Sequence, residues 1–345
     1  MPIKVRKSIS NLQTYNVGGR SDLSSDWECF DWNESEFPPT NKVFEVMKSF
    51  YRYERYPDIT AKQLKNKLSE YVSLPVDFIE VYNGSDDALK DIITVFVDKD
   101  THVLSYQPSY TQVNTFITTN TENYMKVNIK DPLGKHEYDF NYCKINEVVY
   151  LVNPNNPTGK LLPVEEIEKL VKQYPNTLFI VDEAYYEFAK QSCTHLVVSH
   201  KNLIVTRTFS KAFGLASVRL GYCMAHPDTL SDVRKIRNGK AVNALGQLCG
   251  IAALNDLDYL QSRIDEMNDA KKFFIDNLPN YYHAVSSDAN FVLVKTPDSK
   301  KVLEKMKENK ILIRDRSAFE NLENCVRITI GSKKQIIRVL DVMTN

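Results

Sequence analysis

Four segments of the sequence combine reactive side chains with turn-forming residues, and each follows a short apolar run. They are residues 82–88, 153–159, 182–185 and 207–222 of a chain of 345 residues. In open parallel sheets, ligands bind beyond the carboxyl ends of the strands, so a site is expected in segments that follow strands. The four segments are therefore candidates for one shared pocket.

The segment 207–222 carries the most reactive group, a lysine among apolar residues. It reads Arg-Thr-Phe-Ser-Lys-Ala-Phe-Gly-Leu-Ala-Ser-Val-Arg-Leu-Gly-Tyr. Lys211, if held in an apolar pocket, would lose part of its proton affinity and become a usable amine nucleophile. Ser210 and Arg219 supply a hydroxyl and a fixed cation, which together suit a phosphate. Most lysines are solvated surface residues, so Lys211 alone does not identify a site.

The other three segments offer a carboxylate, an amide and a helix start. Asp182 ends an apolar run, where a carboxylate is costly unless it meets a cation or hydrogen-bond donors. It could pair with a cationic nitrogen of a ligand that Tyr185 also reaches. Asn156 stands in a loop whose prolines and glycine would fix its direction. Gly84 and Ser85 would open a helix whose free N–H groups bind phosphate. Each segment also has an explanation that needs no ligand. Asp182 could cap the next turn, the loop around Asn156 could simply be a rigid turn, and Gly84 and Ser85 could form an ordinary helix N-cap.

The elements that must position these side chains alternate along the chain. Apolar runs at 78–81, 101–105, 148–152, 178–181 and 203–206 predict strands, and amphipathic stretches between them predict helices. This alternation predicts an α/β fold, in which a largely parallel central sheet has helices on both faces.

The character of the chain changes near residue 227. An apolar helix at 243–254 and a charged helix at 256–278 precede short strands at 291–294, 311–313 and 326–329. That mixture predicts a smaller α+β domain at the C-terminus. We therefore expect an irregular arm at 1–39, a large domain at 40–245 and a small domain at 246–345.

Composition excludes several classes of function. Lys plus Arg and Asp plus Glu both number 44, so a formal charge of zero gives no global attraction to nucleic acid or to an anionic membrane. The six cysteines form no Cys-x-x-Cys pair, which argues against a zinc site. No run reaches the ~20 apolar residues of a membrane helix, and the first residues do not resemble a signal peptide. We expect a cytoplasmic protein without a metal.

Together the segments form one ordered pattern. It consists of Gly-Ser-Asp at 84–86, Asn-Asn-Pro-Thr-Gly at 155–159, Asp-Glu-Ala-Tyr at 182–185 and Ser-Lys-Ala-Phe-Gly-Leu-x-x-x-Arg-x-Gly at 210–221. The pattern resembles the pyridoxal-phosphate-dependent aminotransferases of fold type I, in classes I and II, and the resemblance covers most of the chain. It implies the fold type I architecture, pyridoxal 5'-phosphate as cofactor and transamination as the reaction.

The resemblance also implies roles for individual residues. Lys211 would bind the cofactor covalently and carry the proton at the substrate Cα. Asp182 would keep the pyridine nitrogen protonated, which makes the ring an electron sink. Asn156 and Tyr185 would donate hydrogen bonds to the ring oxygen, and Tyr110 would stack on the ring. The residues implied for the cofactor phosphate are Gly84, Ser85, Asp86, Thr208, Ser210 and Arg219.

Within this superfamily the sequence is most similar to histidinol-phosphate aminotransferases. Arg-Tyr-Pro at 55–57 resembles a segment whose tyrosine, here Tyr56, reaches the cofactor phosphate of the neighbouring subunit, which implies a homodimer. Residues 311–315 and 325–331 resemble two strands that carry substrate-binding arginines. These would be Arg314 and Arg327, and guanidinium groups suit bidentate capture of carboxylate and phosphate. The resemblance implies that Asn156 also binds the substrate.

Two segments, 33–39 and 238–243, differ from the motifs that are usual in the family. The resemblance places both segments where the substrate is selected and not where the cofactor is held. The pair glutamate and 2-oxoglutarate is therefore expected on one side of the reaction, and the other side stays open. It could be histidinol phosphate or a related compound such as serinol phosphate, made from dihydroxyacetone phosphate. One alternative keeps the cofactor but decarboxylates a phosphorylated amino acid. A non-catalytic regulator is a second alternative, disfavoured because the cluster around Lys211 would then serve no reaction.

Overall fold

Three β-sheets organise the protein in a computed structural model that describes residues 3–10, 12, 20, 24 and 26–344. The strands of this part are, in chain order, β1 (Glu28–Cys29), β2 (Ile79–Tyr82), β3 (Val103–Gln107), β4 (Tyr124–Asn128), β5 (Val148–Val152), β6 (Leu178–Asp182), β7 (Leu203–Thr208), β8 (Gly221–Ala225), β9 (His283–Ala284), β10 (Phe291–Lys295), β11 (Ile311–Leu312), β12 (Arg314–Asp315) and β13 (Cys325–Thr329). The α-helices are α1 (Lys7–Ser10), α2 (Asn41–Ser49), α3 (Lys62–Val72), α4 (Ser85–Phe96), α5 (Gln112–Asn120), α6 (Val164–Gln173), α7 (Tyr186–Ala189), α8 (Pro227–Arg234), α9 (Ala244–Leu254), α10 (Leu257–Asp276), α11 (Ser299–Glu308) and α12 (Lys333–Thr344).

The central sheet has seven strands in the order β2-β8-β7-β6-β5-β3-β4. Strands β3 to β7 pair in parallel, and β8 is antiparallel to both β7 and β2. The predicted mostly parallel sheet is confirmed. The sequence prediction did not include β4 or β8. Strand β4 is a half-exposed edge without a continuous apolar run, and β8 follows directly on the segment that carries Lys211.

Both faces of the central sheet are buried, as the alternation of strands and helices predicts. Along β6, Phe179 and Val181 face one apolar cluster, while Leu178 and Ile180 face the other. The first cluster takes side chains from α3, α6, α9 and α10, and the second from α4, α5 and α8. The inner strands β5 and β6 are consequently buried at every position and almost entirely apolar, which is the pattern of a parallel sheet covered on both sides.

The C-terminal region forms a second sheet, antiparallel and four-stranded, in the order β12-β13-β10-β9. It packs with α10, α11 and α12 around a separate core that includes Val292, Ile328 and Val339. The expected smaller α+β unit is confirmed. Strand β1 pairs in parallel with β11 beside it, and Phe30 is fully buried in the same core.

The expected domain limits at 39/40 and 245/246 stay a prediction. Residues 1–2, 11, 13–19, 21–23 and 25 of the expected arm lie outside the described residues. The spacing of apolar residues predicts a helix over 40–56. In the structure, helix α2 ends at Ser49, and residues 50–56 form a loop with exposed tyrosines. Among the described residues, no helix is both long and apolar enough to cross a membrane.

A buried carboxylate ties the edge of the central sheet to its helices. Glu80 of β2 lies 3.2 Å from Lys65 Nζ, 2.8 Å from Arg234 Nε and 3.1 Å from Arg237 Nε. Burial alone would raise the pKa of Glu80, but the charges of Arg237, Lys65 and Arg234 outweigh it, and the pKa is lowered. Because the folded pKa lies below the unfolded one, the ionised Glu80 stabilises the fold above the ordinary carboxyl pKa. That contribution disappears as the pH falls through the folded pKa.

We expect Glu80→Gln to lower the free energy of unfolding at neutral pH by about 3 kcal/mol, because three cations then face each other without their shared anion. Urea denaturation measures this change. The exposed Glu304→Gln is the matched control, with an effect within about 0.5 kcal/mol. The difference between wild type and Glu80→Gln should shrink as the pH falls below about 4. A difference that does not vary with pH would contradict the electrostatic account.

Candidate active site

A cavity of about 270 Å³ lies where the carboxyl ends of β5, β6 and β7 meet the second sheet. Its lining includes twelve of the predicted site residues: Ser85, Asp86, Tyr110, Asn156, Asp182, Tyr185, Thr208, Ser210, Lys211, Arg219, Arg314 and Arg327. Two predicted residues, Gly84 and Tyr56, are not part of the lining. The lining also includes Asn33, from the segment 33–39 singled out in the sequence, and five residues that sequence reasoning missed, Asp31, Trp32, Ser109, Thr111 and Arg316.

Lys211 lies in the turn that follows β7, and its amine faces groups from both sheets. Lys211 Nζ donates a hydrogen bond of 2.9 Å to the carbonyl oxygen of Trp32. Burial, with a further contribution from the positive charge of Arg327, lowers the pKa of Lys211 to about 8. Roughly a tenth of the amine is therefore uncharged at pH 7, far more than for an exposed lysine, and the uncharged amine is the form that attacks a carbonyl.

A second lysine shows that a lowered pKa alone does not define the site. Burial also lowers the pKa of Lys271 to about 8. Its amine, however, donates to the carbonyl oxygens of Ser287 and Ala289, at 2.8 and 2.9 Å, and is not in the cavity lining. Only Lys211 of this pair combines the lowered pKa with access to the cavity.

Asp182 is the last residue of β6 and is almost fully buried. Tyr150 Oη donates to Asp182 Oδ2 and Thr206 Oγ1 donates to Asp182 Oδ1, each at 3.0 Å. Burial raises the pKa of Asp182 to about 6, although both hydrogen bonds act in the opposite direction. Neutral donors thus orient both carboxylate oxygens without neutralising the charge. A cationic ligand nitrogen at this wall of the cavity would complete the site.

The start of α4 and the turn after β7 form one anion-binding corner. Gly84 has φ +86°, and its Cα lies close enough to Arg219 that an added Cβ would come within 2.6 Å of Arg219 Nη2. Arg219 Nη1 donates to Ser210 Oγ at 3.4 Å, and the backbone N of Ser210 donates to Thr208 Oγ1 at 3.1 Å. Free N–H groups of a helix start, hydroxyls and a guanidinium are the donors that bind phosphate.

Tyr110 contacts this corner through Asp86. Tyr110 Oη donates to Asp86 Oδ1 at 2.8 Å, and Asp86 Oδ2 lies 3.6 Å from Arg219 Nη2. The aromatic ring and the helix start are therefore fixed to each other. This contact places a flat apolar surface beside the anion-binding corner, as the resemblance implies for Tyr110.

The opposite end of the cavity is polar and cationic. Arg327 Nη1 donates to Asn156 Oδ1 at 2.6 Å, and Arg327 Nη2 donates to the carbonyl oxygen of Asp31 at 2.5 Å. Asn33 Nδ2 donates to Tyr185 Oη at 2.9 Å. Asn156, Tyr185 and Arg327 are all buried, so the contacts that hold them persist only while the two sheets remain packed.

Tyr56 lies apart from this cavity. Its side chain is 78% exposed, and the ring is 4.4 Å from Lys240 Nζ. Within one chain it contacts none of the anion-binding corner described above. Among the described residues, no cluster of three or more His, Cys, Asp or Glu side chains could hold a metal ion.

The sequence profile of the class I and II aminotransferases matches residues 23–343. The chain is 36% identical to a dihydroxyacetone phosphate transaminase of Campylobacter jejuni over 90% of this chain and 88% of that protein. It is 29% identical to a histidinol-phosphate aminotransferase of Geotalea daltonii over 98% of both chains. The crystal structure of a histidinol-phosphate aminotransferase from Sinorhizobium meliloti with pyridoxal 5'-phosphate superposes with a TM-score of 0.83, at 25% identity. It covers 92% of this chain and 89% of that chain.

Pyridoxal 5'-phosphate is the cofactor, and the residues present fit it. The molecule needs an anion site, an acid partner for its ring nitrogen and an amine for its aldehyde. The corner around Arg219, the buried carboxylate of Asp182 and the amine of Lys211 supply these groups in one cavity.

The fit depends on the close packing of Gly221 against the start of α4. A Cβ at position 221 would overlap the backbone nitrogen of Ser85 and come within 2.6 Å of the carbonyl carbon of Gly84. We expect Gly221→Ala to displace this helix start and to raise the Kd for pyridoxal phosphate roughly 10-fold or more. Titration of the cofactor-free protein by absorbance measures the Kd.

Gly246→Ala, in helix α9, is the matched control, because the three atoms nearest to its added Cβ all belong to the side chain of Asn243, at 3.2 to 3.4 Å. The melting temperature of each cofactor-free variant separates a local effect from loss of the fold. Unchanged cofactor affinity in Gly221→Ala would contradict the role given to the helix start.

Proposed function

We propose that this chain, which belongs to the class I and II aminotransferases and is a transaminase of the histidinol-phosphate type, transfers an amino group between glutamate and a small phosphorylated ketone. Dihydroxyacetone phosphate, which would yield serinol phosphate, is the ketone we favour. The observation that carries the proposal is the presence of two cationic ends in one cavity, around Arg219 and around Arg327, with Lys211 between them. One end suits the cofactor phosphate, and the other suits the anion of a substrate.

Lys211 would hold the cofactor and then act on the substrate. When bound, pyridoxal phosphate supplies a ring that accepts the electron pair left on the substrate Cα after its proton is removed. Lys211, with its pKa of about 8, can take that proton in its uncharged form and return it. The same residue would thus act as base and acid.

Asp182 would keep the ring nitrogen protonated. The ion pair would lower the pKa of Asp182 from its present value of about 6, because an opposite charge favours the ionised carboxylate. Tyr150 and Thr206 already hold both of its oxygens, so Asp182 is oriented before the ligand arrives. Tyr185 and Asn156 would donate to the ring oxygen, while Tyr110 would cover one face of the ring.

The anion-binding corner would hold the cofactor phosphate. Its proposed contacts are backbone groups of Gly84, Ser85 and Asp86 and side chains of Thr208, Ser210 and Arg219. This corner stays occupied through the reaction, so a substrate anion must bind elsewhere. Arg314 and Arg327, directly opposite each other on β12 and β13, would bind the carboxylate of glutamate and then the phosphate of the ketone.

The substrate experiment uses the holoenzyme in two steps. Glutamate is added, the resulting absorbance change is recorded, and 2-oxoglutarate is removed. Dihydroxyacetone phosphate or imidazole acetol phosphate is then added. We expect dihydroxyacetone phosphate to reverse the change with formation of serinol phosphate, and Lys211→Ala to show no change at either step.

Two outcomes would overturn the proposal. Reversal by imidazole acetol phosphate alone would make histidinol phosphate the amino substrate instead. Release of CO2 from a phosphorylated amino acid, without consumption of 2-oxoglutarate, would identify a decarboxylase.

We also propose that two copies of the chain form a homodimer in which Tyr56 reaches the partner's cofactor phosphate. The loop that carries it presents three strongly exposed rings, Tyr51 at 75%, Tyr53 at 71% and Tyr56 at 78%. Exposed aromatic residues clustered on one loop favour an interface. Tyr56 in its own chain lies outside the cavity, which is the placement expected of a residue that acts across that interface.

Mixing two inactive variants tests this arrangement. Lys211→Ala lacks the amine, and Tyr56→Ala lacks the ring offered to the neighbour. In a mixed dimer one site receives both defects and the other receives none. Random exchange of subunits should therefore restore about a quarter of wild-type activity. Activity no greater than the sum of the separate variants would place Tyr56 in the site of its own chain or remove it from the site.

A further inference from the structure

The run Arg-Asp-Arg at 314–316 places two arginines on one face of the second sheet. Arg314 is paired with Arg327 and Asp315 with Val326, and the backbone N of Arg316 donates to the carbonyl oxygen of Cys325 at 2.9 Å. The ladder therefore continues to Arg316. Because side chains alternate along a strand, Arg314 and Arg316 share a face while Asp315 is exposed on the other.

Arg314, Arg316 and Arg327 all line the cavity, and Arg327 is the most deeply buried of them. Burial raises the pKa of Tyr185, and the charges of Arg327 and Arg316 both act against that rise. The charge of Arg316 is therefore felt at the phenol of Tyr185, well inside the cavity.

The carboxylates that line the cavity are held by other groups. Asp31 accepts from Arg20, and Asp86 is paired with Arg219. Asp182 accepts from Tyr150 and Thr206 at the far wall. These contacts involve Arg20, Arg219 and two neutral hydroxyl groups, while Arg314, Arg316 and Arg327 bring three arginine side chains to the lining of the same cavity.

We propose that Arg316 is a specificity-determining residue that makes this end of the cavity prefer a phosphate monoester to a carboxylate. A carboxylate has one charge and two oxygens, which a single guanidinium can bind in a bidentate manner. A phosphate monoester has nearly two charges and three terminal oxygens, so a further guanidinium adds contacts that a carboxylate cannot use. This inference rests on the proposed function, because it assigns the phosphorylated substrate to that site.

The test compares binding of two anions to the holoenzyme, in which the cofactor already occupies the other anion site. One quantity is the concentration of glutamate that gives half of the maximal absorbance change. The other is the inhibition constant of inorganic phosphate against glutamate. We expect Arg316→Gln to raise the ratio of the phosphate constant to the glutamate constant roughly 10- to 100-fold, which is the usual size for loss of a charged hydrogen bond.

Arg316→Lys and Lys295→Gln complete the set of variants. Arg316→Lys keeps the charge but lacks the planar fork, so it should restore part of the ratio. Lys295 is exposed on β10 of the same sheet, and Lys295→Gln removes a charge outside the cavity, so the ratio should stay within about twofold. Two results would overturn the inference. One is a ratio of the phosphate constant to the glutamate constant that is the same in Arg316→Gln as in Lys295→Gln. The other is an equal loss of affinity for phosphate and for glutamate in Arg316→Gln.

The same variants separate this inference from the proposed function. If wild type rejects dihydroxyacetone phosphate but Arg316→Gln still loses its selectivity for phosphate, the proposed function fails and the role of Arg316 stands. If wild type and Arg316→Gln use dihydroxyacetone phosphate with equal kcat/KM, the function stands and the role of Arg316 fails.

Discussion

The amine of Lys211 is surrounded by groups from three distant parts of the chain. Burial and the charge of Arg327 lower its pKa to about 8, and the carbonyl of Trp32 accepts its hydrogen bond. Lys211 follows β7 of the central sheet, Arg327 lies on β13 of the second sheet, and Trp32 follows β1. A lysine with this reactivity therefore depends on the packing of the two sheets against each other, because the central sheet carries the amine and the second sheet supplies the guanidinium.

Separation of charge within the cavity follows from the same packing. The corner around Arg219 is formed by the turn after β7 of the central sheet and by the start of helix α4. The arginine-rich end is formed by β12, β13 and Arg316, which follows β12. Asp182, the carboxylate of the central wall, is oriented by neutral donors. This arrangement gives each charged part of a cofactor and of a substrate a partner of opposite sign, and it limits competition between the two anions for one site.

Residues with strong local signals could be predicted from the sequence. Asp182 stands directly after an apolar run and Lys211 lies five residues beyond the end of another, and residues that follow parallel strands lie at one edge of the sheet. Contacts set by strand register could not be predicted in this way. Thr206 reaches Asp182 because the two residues pair across β6 and β7. Strand β8 reverses direction, and Trp32 reaches the cavity from a region without a clear pattern. The alternation at 314–316 was a signal that could have placed Arg316 beside Arg314.

The proposed reaction requires the cofactor to be attached covalently to Lys211. Lys271, whose pKa is also lowered to about 8, is a competing lysine within the same chain. The direct measurement is borohydride reduction of the holoenzyme, followed by proteolysis and mass spectrometry of the peptides. We expect the cofactor label on the peptide that contains Lys211 and not on the one that contains Lys271. Label on Lys271, or no label in a protein saturated with pyridoxal phosphate, would contradict it.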